Sequence, residues 1–380
     1  MPLVLLLVGA TTGAPATAAT RAAPRPATWE QWLHLPGVFD LSGPRRDGRL
    51  VAAAHDRLAL VSPSGRTHSF APAYSVPDGS ESYLALSPGL TLDKRAATNP
   101  VLPPLRCRFD RDLLLALDLR GAPPGITEVA ADGKVRRLAS VPGVSNLAGI
   151  TLDTVGSFGH RLLVIGPARP GTTQVTAVDC LGRATPVATV DVPLEGGVAV
   201  APRGFGPYGG QLIAADETGG SIYAISPAGK LSTVTRSGLP AGGDIGVESA
   251  GFVPPRPAAA YLADRGTPGN PHPGTDSILR LTGAAMSSAG IRAGDLLVAT
   301  EGGATVVRVR CGRVCEAAVV VTGPPSAHAE GRLLVVAREP ASRTGRPGLL
   351  VVGTSILIVI AAAILLLWRQ SRAPGRAAHR

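Results

Sequence analysis

The chain has 380 residues, 45% of them apolar and 4% aromatic, with 47 Gly and 35 Pro. This composition excludes a disordered protein and favours short strands joined by tight turns over long helices. The formal charge is +10, but Arg21, Arg25, Arg343, Arg346, Arg369, Arg372, Arg376 and Arg380 lie outside residues 27–338, leaving 29 basic against 26 acidic residues inside that window. The basic excess belongs to the chain ends, so no nucleic-acid partner is expected.

The opening MPLVLLLVGATTGAPATAAT has an apolar core, Leu3 to Gly9, followed by small residues over Ala14–Ala19. It resembles a secretory signal over 1–19, although no Lys or Arg precedes the core; a buried first strand is the alternative. Residues 20–36 read as a linker, with Trp29 and Trp32 packing on the first structural unit.

Six related units fill 37–338, at 37–66, 110–139, 158–188, 205–235, 259–284 and 293–321. Gly133, Gly182 and Gly229 occupy equivalent turns 49 and 47 residues apart. The clearest unit predicts strands at 197–201, 211–215, 221–226 and 230–235. A period in the forties with four short strands per unit is that of a β-propeller, whose blades cannot bury both faces until neighbours stack on them. The expected fold is therefore all-β, a six-bladed β-propeller; a β-sandwich of repeated hairpins is the alternative. The second blade carries an insertion between its first and second strands, SPGLTLDKRAATNPVLPPLRCRFD. The sixth unit lacks an innermost strand ahead of Asp295, and GRLLVVA (331–337) is left over, a candidate for closing the ring.

Cys311 and Cys315 flank a hairpin turn and are placed for a disulfide. Cys107 and Cys180 are candidates for a second, though four Cys allow three connectivities. No zinc-ligand spacing accompanies them.

Residues 339–348 read as a stalk. LLVVGTSILIVIAAAILLLW (Leu349–Trp368) runs 20 residues without a charge, long enough as a single C-terminal transmembrane helix to cross a hydrocarbon core about 30 Å thick. The Arg-rich tail, 369–380, flags the cytoplasmic side. The expected arrangement is single-pass in the cell membrane, with the ectodomain extracellular.

The candidate chemistry is acidic. Glu81, Asn146, Glu195 and Glu248 each lead an inner strand and would converge at one rim of the central channel. Asp56, Asp118, Asp216, Asp264 and Glu301 begin the loops that open onto the same rim. Mixed carboxylate and amide oxygens suit a hard cation such as calcium. The competing reading is structural: an Asp after a strand caps its own turn, and the leading residues bond the backbone of the next blade. His34, His55, His68, His160 and His328 show no metal-ligand spacing, and His272 sits in a long rim loop.

GGQLIAADETGGSIYAISPAGK (209–230) resembles an NHL-type repeat, and the set is similar to the six-bladed calcium-dependent superfamily of gluconolactonases, senescence-marker protein and paraoxonases. That resemblance implies a channel metal held by Glu, Asn and Asp, with Glu81, Asn146, Glu195 and Glu248 as counterparts, and lactone or ester hydrolysis. The chain departs from the pattern in having three Glu and one Asn and no evident general base. The functional expectation is a membrane-anchored binding module for a protein, glycan or small ligand at the acidic rim; the alternative is a calcium-dependent lactonase or esterase.

Overall fold

A computed structural model describes residues 25–338 except Asp56, 78–79, 91–101, Pro104 and Arg106. The expected signal, stalk, membrane span and tail lie outside the described residues, as does Asp56. Among the described residues no helix is long and apolar enough to cross a membrane.

The chain enters through β1 (Ala27–Thr28) and β2 (Glu30–His34), whose partners lie some 250 residues or more further on. Four blades then follow in order, each an antiparallel four-stranded sheet. Blade I is β3 (Val38–Ser42), β4 (Leu50–Ala54), β5 (Arg57–Val61) and β6 (Thr67–Phe70). Blade II is β7 (Leu84–Pro88), β8 (Arg111–Asp118), β9 (Gly125–Val129) and β10 (Val135–Ser140). Blade III is β11 (Gly149–Leu152), β12 (Leu162–Arg169), β13 (Thr172–Val178) and β14 (Ala184–Val190). Blade IV is β15 (Glu195–Val200), β16 (Leu212–Asp216), β17 (Ser221–Ile225) and β18 (Leu231–Arg236), within two residues of the strands expected from alternation.

The repeated turn explains the spacing of the glycines. In Ser62–Arg66, Ala130–Lys134, Asp179–Arg183 and Ser226–Lys230 the first amide donates to the fifth carbonyl, and the fourth residue, always Gly, donates back to the first. That Gly sits at φ 81°, 89°, 81° and 82° in turn, a left-handed conformation that side chains disfavour.

Blades V and VI are interleaved. β19 (Val247–Phe252) pairs not with the next strand, β20 (Pro257–Asp264), but with β22 (Leu296–Thr300). The chain passes through β20, β21 (Ser277–Thr282) and the short helix α1 (Gly283–Ser288) in blade VI. It then returns for β22, β23 (Val306–Cys311) and β24 (Cys315–Thr322) of blade V, and finishes as β25 (Ala329–Ala337) against β20. Pro254 and Pro255 stand where a hairpin from β19 to β20 would turn; they have no amide to donate, and the residue ahead of a proline is pushed to extended backbone. The missing innermost strand of the sixth sequence unit is thus β19, and the leftover 331–337 is the innermost strand of blade VI.

Residues 27–34 are a correction to the expected linker, because they belong to the sheets. β1 lies parallel to β24 and β2 antiparallel to β21 as the outer strand of blade VI. Trp29 is buried between blades V and VI with its Nε1 donating to Ala304 O at 2.8 Å. Trp32 packs on Tyr261, ring centroids 5.2 Å apart, at the junction of blades VI and I rather than on the first blade alone.

The core consists of six apolar clusters, one per blade interface. Leu115, Ile126, Ile150 and Val164 join II to III, and Val38, Leu41, Tyr261 and Ile278 join I to VI. Each sheet therefore lies between two others, which a two-layer sandwich does not provide. Cys107 and Cys180 form a disulfide tying the blade II insertion to blade III, and Cys311 and Cys315 form the second across the β23–β24 hairpin.

Polar side chains pin the inner strands. The Asp40 carboxylate, 1% exposed, accepts from Leu41 N at 2.7 Å, from Leu84 N of blade II at 2.6 Å and from Arg332 N of blade VI at 2.8 Å. Asp40→Ala leaves these amides without an acceptor in a dry environment and is expected to cost about 3 kcal/mol or more, lowering the melting temperature by roughly 5 °C or more. Asp40→Asn, which keeps one carbonyl oxygen, should fall between the two in thermal unfolding.

Candidate cation site at the channel mouth

Inner strands that start at one end of the channel bring their leading residues together. Glu81 precedes β7, Glu195 opens β15, Glu248 is the second residue of β19 and Glu330 the second of β25. The position just after the second strand of a blade adds Glu217, Arg265 and Glu301. His328 lies two residues before Glu330, so alternation along an extended backbone sends both to one side.

These groups form a chain of alternating charge. Arg265 Nη1 lies 3.7 Å from Glu81 Oε1 and 3.1 Å from Glu330 Oε1. His328 Nε2 lies 3.3 Å from Glu330 Oε1 and 3.0 Å from Glu301 Oε1. The next pair titrates apart: burial, the Glu301 hydrogen bond and its charge push Glu217 up to about 9, while Glu301, despite burial, is held below its usual value by bonds from His328 and Glu217. Although burial opposes its charge, His328 is raised to about 10 by Glu301 and Glu330 and is the imidazolium at neutral pH.

Glu248 is the most enclosed acid of the mouth, 3% exposed, and burial followed by repulsion from Glu330 and Glu301 raises it well above the ordinary carboxylate range. Its Oε1 accepts from Tyr83 Oη at 2.6 Å, a bond that reaches from blade II to blade V. Its Oε2 is shut off from solvent and has no partner. Glu81 is pushed up to about 8 by burial and by Glu330 and Glu195, against Arg265. Glu195, exposed in the mouth, is raised by desolvation and by Glu330 and Glu301. Six carboxyls thus face two cations, and the surplus negative charge is what a bound cation would offset.

The expected residues divide. Glu81, Glu195, Glu248 and Glu301 meet in the mouth. Asn146 is exposed and instead lines an adjoining cavity of about 530 Å³ with Arg169, Thr172, Glu195 and Glu217. Three rim candidates do not join the mouth. Asp118 is buried and, against desolvation, is held low by Arg120 and Arg137, at 3.0 and 2.7 Å. Asp216 caps its own turn through Gly219 N at 2.9 Å. Asp264 accepts from Thr275 Oγ1 at 2.5 Å and from His328 N at 2.8 Å, positioning the start of β25. The mouth-facing residue in blades IV and VI is the next one along, Glu217 or Arg265, because adjacent side chains on extended backbone point opposite ways.

Glu217, Arg265, His328 and Glu330 were not among the candidates. A readable signal existed for Glu330: Glu195-Gly196 and Glu330-Gly331 each precede an apolar run, and both glycines take positive φ, 79° and 72°. His328-x-Glu330 at strand spacing was a second. Glu301, His328 and Glu330 can bring one ligand atom each within 4.8 Å of one another. The oxygen donors of Glu301 and Glu330, beside those of Glu81, Glu195 and Glu248, fit a hard divalent cation, with the His328 imidazolium holding the first two in place.

No protein-family model and no curated protein sequence matches the chain. Solved structures similar to it include a virginiamycin B lyase from Staphylococcus aureus, at 14% identity and TM-score 0.42, covering 77% of this chain and 73% of that one. A nidogen/laminin complex gives 12% identity and TM-score 0.45 over 77% and 83%, and a streptogramin B lyase 17% and 0.40 over 80% and 90%. At these identities the likeness concerns architecture alone. The chain is a six-bladed β-propeller.

The raised acids make a prediction for protein held in chelator. Their folded forms bind protons more tightly than the unfolded chain, so that contribution is complete below the ordinary value of 4.5 and is lost as pH rises through about 8 for Glu81 and about 9 for Glu217. His328 acts in the same sense, its contribution complete below 6.5 and lost on approach to about 10. The melting temperature should therefore be higher near pH 6 than near pH 9 by at least about 2 °C, a shift on the scale of 1 kcal/mol for a large domain. Differential scanning calorimetry at the two values decides it.

Proposed function

We propose that the protein is an extracytoplasmic binding module, tethered to the membrane by 349–368, whose ligand site is the acidic channel mouth together with the cavity beside it. A divalent cation of the calcium class completes the site, with Glu81, Glu195, Glu248 and Glu330 as its oxygen donors. The observation that carries this reading is Glu248 Oε2, a buried carboxylate oxygen facing like charges with no donor of its own. An orphaned buried acceptor costs free energy that a cation would recover. The cavity lined by Asn146, Arg169, Glu195 and Glu217 gives a small polar ligand room next to that cation. Two disulfides are in keeping with an oxidising compartment.

Hydrolysis of a lactone or ester is the less favoured use. It would need a general base beside the cavity, and His328, clamped between two carboxylates and protonated to about pH 10, has no free electron pair to give on that side. What the cation supplies in the proposed module is charge neutralisation and polarisation of a ligand oxygen.

The full chain in neutral detergent should bind calcium in isothermal titration calorimetry. A concentration about 100-fold above Kd should stabilise it by about 2.7 kcal/mol, a rise in melting temperature of roughly 5 °C. Glu195→Gln combined with Glu248→Gln should abolish both effects. Unchanged binding in that variant, or none in the unaltered protein across calcium, magnesium and manganese, would sink the reading.

A further inference from the structure

The far end of the same channel has the opposite character. Leu86 from the middle of β7, and Leu152, Val200 and Phe252, the closing residues of three other inner strands, surround a cavity of about 190 Å³ together with Thr151, Thr154 and Arg332. The lining contains no acid. Arg332 brings the one charge, and among the described residues its guanidinium has no hydrogen-bond or ion-pair partner, while its Nε is closed off from solvent.

Two features aim that side chain. The β20–β25 register jumps between Ala263↔Glu330 and Tyr261↔Leu334, so residues 331–333 form a bulge, begun by Gly331 at φ 72°. A bulge of this kind re-aims a side chain out of the regular alternation. Gly197 of blade IV then lies so close that a Cβ there would sit 2.7 Å from Arg332 Cα and 3.0 Å from both Ala250 N and Gly331 O. Three inner strands therefore meet at mid-channel and separate the acidic mouth from the cavity.

The nearest acid offers little. Asp40 is a Coulombic neighbour of Arg332, yet it accepts the Arg332 backbone amide rather than the guanidinium, and its oxygens already serve three amides. Burial accordingly weighs against the charge of Arg332 and lowers its pKa. Arg332 is half-buried beside a cavity whose wall mixes apolar side chains with the hydroxyls of Thr151 and Thr154, and its guanidinium fork, with no carboxylate in contact, matches the two oxygens of a carboxylate.

We infer that this cavity is a binding site for a small monocarboxylate, whose oxygens pair with Arg332 and whose short apolar body fills the space between Leu86, Leu152, Val200 and Phe252. Phosphate, which needs more donors than a single Arg provides, and chloride, which leaves the apolar wall uncovered, fit less well. This inference stands apart from the cation reading, since it uses different residues at the other end of the channel.

The test is thermal unfolding of the full chain in neutral detergent, titrated at constant ionic strength with acetate, butyrate, phosphate or chloride, with chelator present throughout so that the mouth does not contribute. A saturable rise in melting temperature with acetate and a larger one with butyrate are expected, with at most a weak response to phosphate or chloride. Arg332→Gln should lose the response. Without added anion it should melt no lower than the unaltered chain, because the uncompensated charge is gone. Arg332→Lys, which keeps the charge without the fork, should weaken the apparent affinity about tenfold. Crystals soaked in a bromine-labelled carboxylate should place the label in the cavity. No saturable response to either carboxylate, an equal response in Arg332→Gln, or label found elsewhere only would overturn the inference; so would a response to phosphate or chloride as strong as that to butyrate.

Discussion

Every blade is apolar on both faces, so no blade is stable until the ring is closed, and closure requires both the first and the last strands of the described residues. Blade VI takes its outer strand from β2, its middle strands from β20 and β21 and its inner strand from β25. Asp40 sits at this junction, bonding amides of blades II and VI from blade I. The burial that makes those bonds strong also opposes the charge that makes them, and Asp40 is pushed up to about 7 despite its three amide donors. The ring is thus held where three backbone amides, helped by the nearby charge of Arg332, work against the burial of a carboxyl that no side-chain cation touches.

Closure has an electrostatic consequence. Once the inner strands are parallel around one axis, whatever leads them must share the mouth, and in four blades that leader is Glu. The molecule relieves the repulsion in three ways: Arg265 and His328 are threaded between carboxylates, Glu217 keeps a proton, and Glu248 accepts from Tyr83 across the bore. Phe39 and Tyr83, edge to face at 5.0 Å, floor the cluster, and Arg265 lies 5.3 Å over the Phe39 ring. An apolar floor beneath charged groups deepens their desolvation, which is why burial leads the causes for Glu81 and Glu248 alike.

Much of this was legible before any coordinates. The Gly-bearing turns fixed the period because only one residue type tolerates their backbone, and the strands of blade IV followed from alternation. Glu81, Glu195 and Glu248 were found by their position ahead of apolar runs. What stayed hidden depended on non-local pairing. The exchange of β19 and β25 between the last two sequence units is invisible to any local pattern, so the Glu-Gly step at Glu330, though readable, and His328 beside it had no inner strand to be assigned to. The rim aspartates failed differently: the correct loops were chosen, but a single step along an extended strand turns a side chain from the channel to its own turn. Asp216 and Glu217, or Asp264 and Arg265, differ in nothing else.

The same bulge accounts for both charges carried by β25. Two residues apart on a flat strand, Glu330 and Arg332 would share a face and neutralise one another, leaving the mouth less acidic and the channel floor uncharged. Gly331 breaks that alternation: Glu330 is delivered to Arg265 and His328, and Arg332 to the apolar end below the contact with Gly197. A Glu-Gly step opens β15 too, where the register with β16 jumps between Glu195 and Ala199, but no basic residue follows there. Blade IV therefore adds only acid to the mouth, whereas blade VI divides an ion pair between the two ends. Because a Cβ at Gly197 would already crowd Arg332 Cα and Ala250 N, the strands between the two ends admit no side chain, and neither end draws its counter-charge from the other.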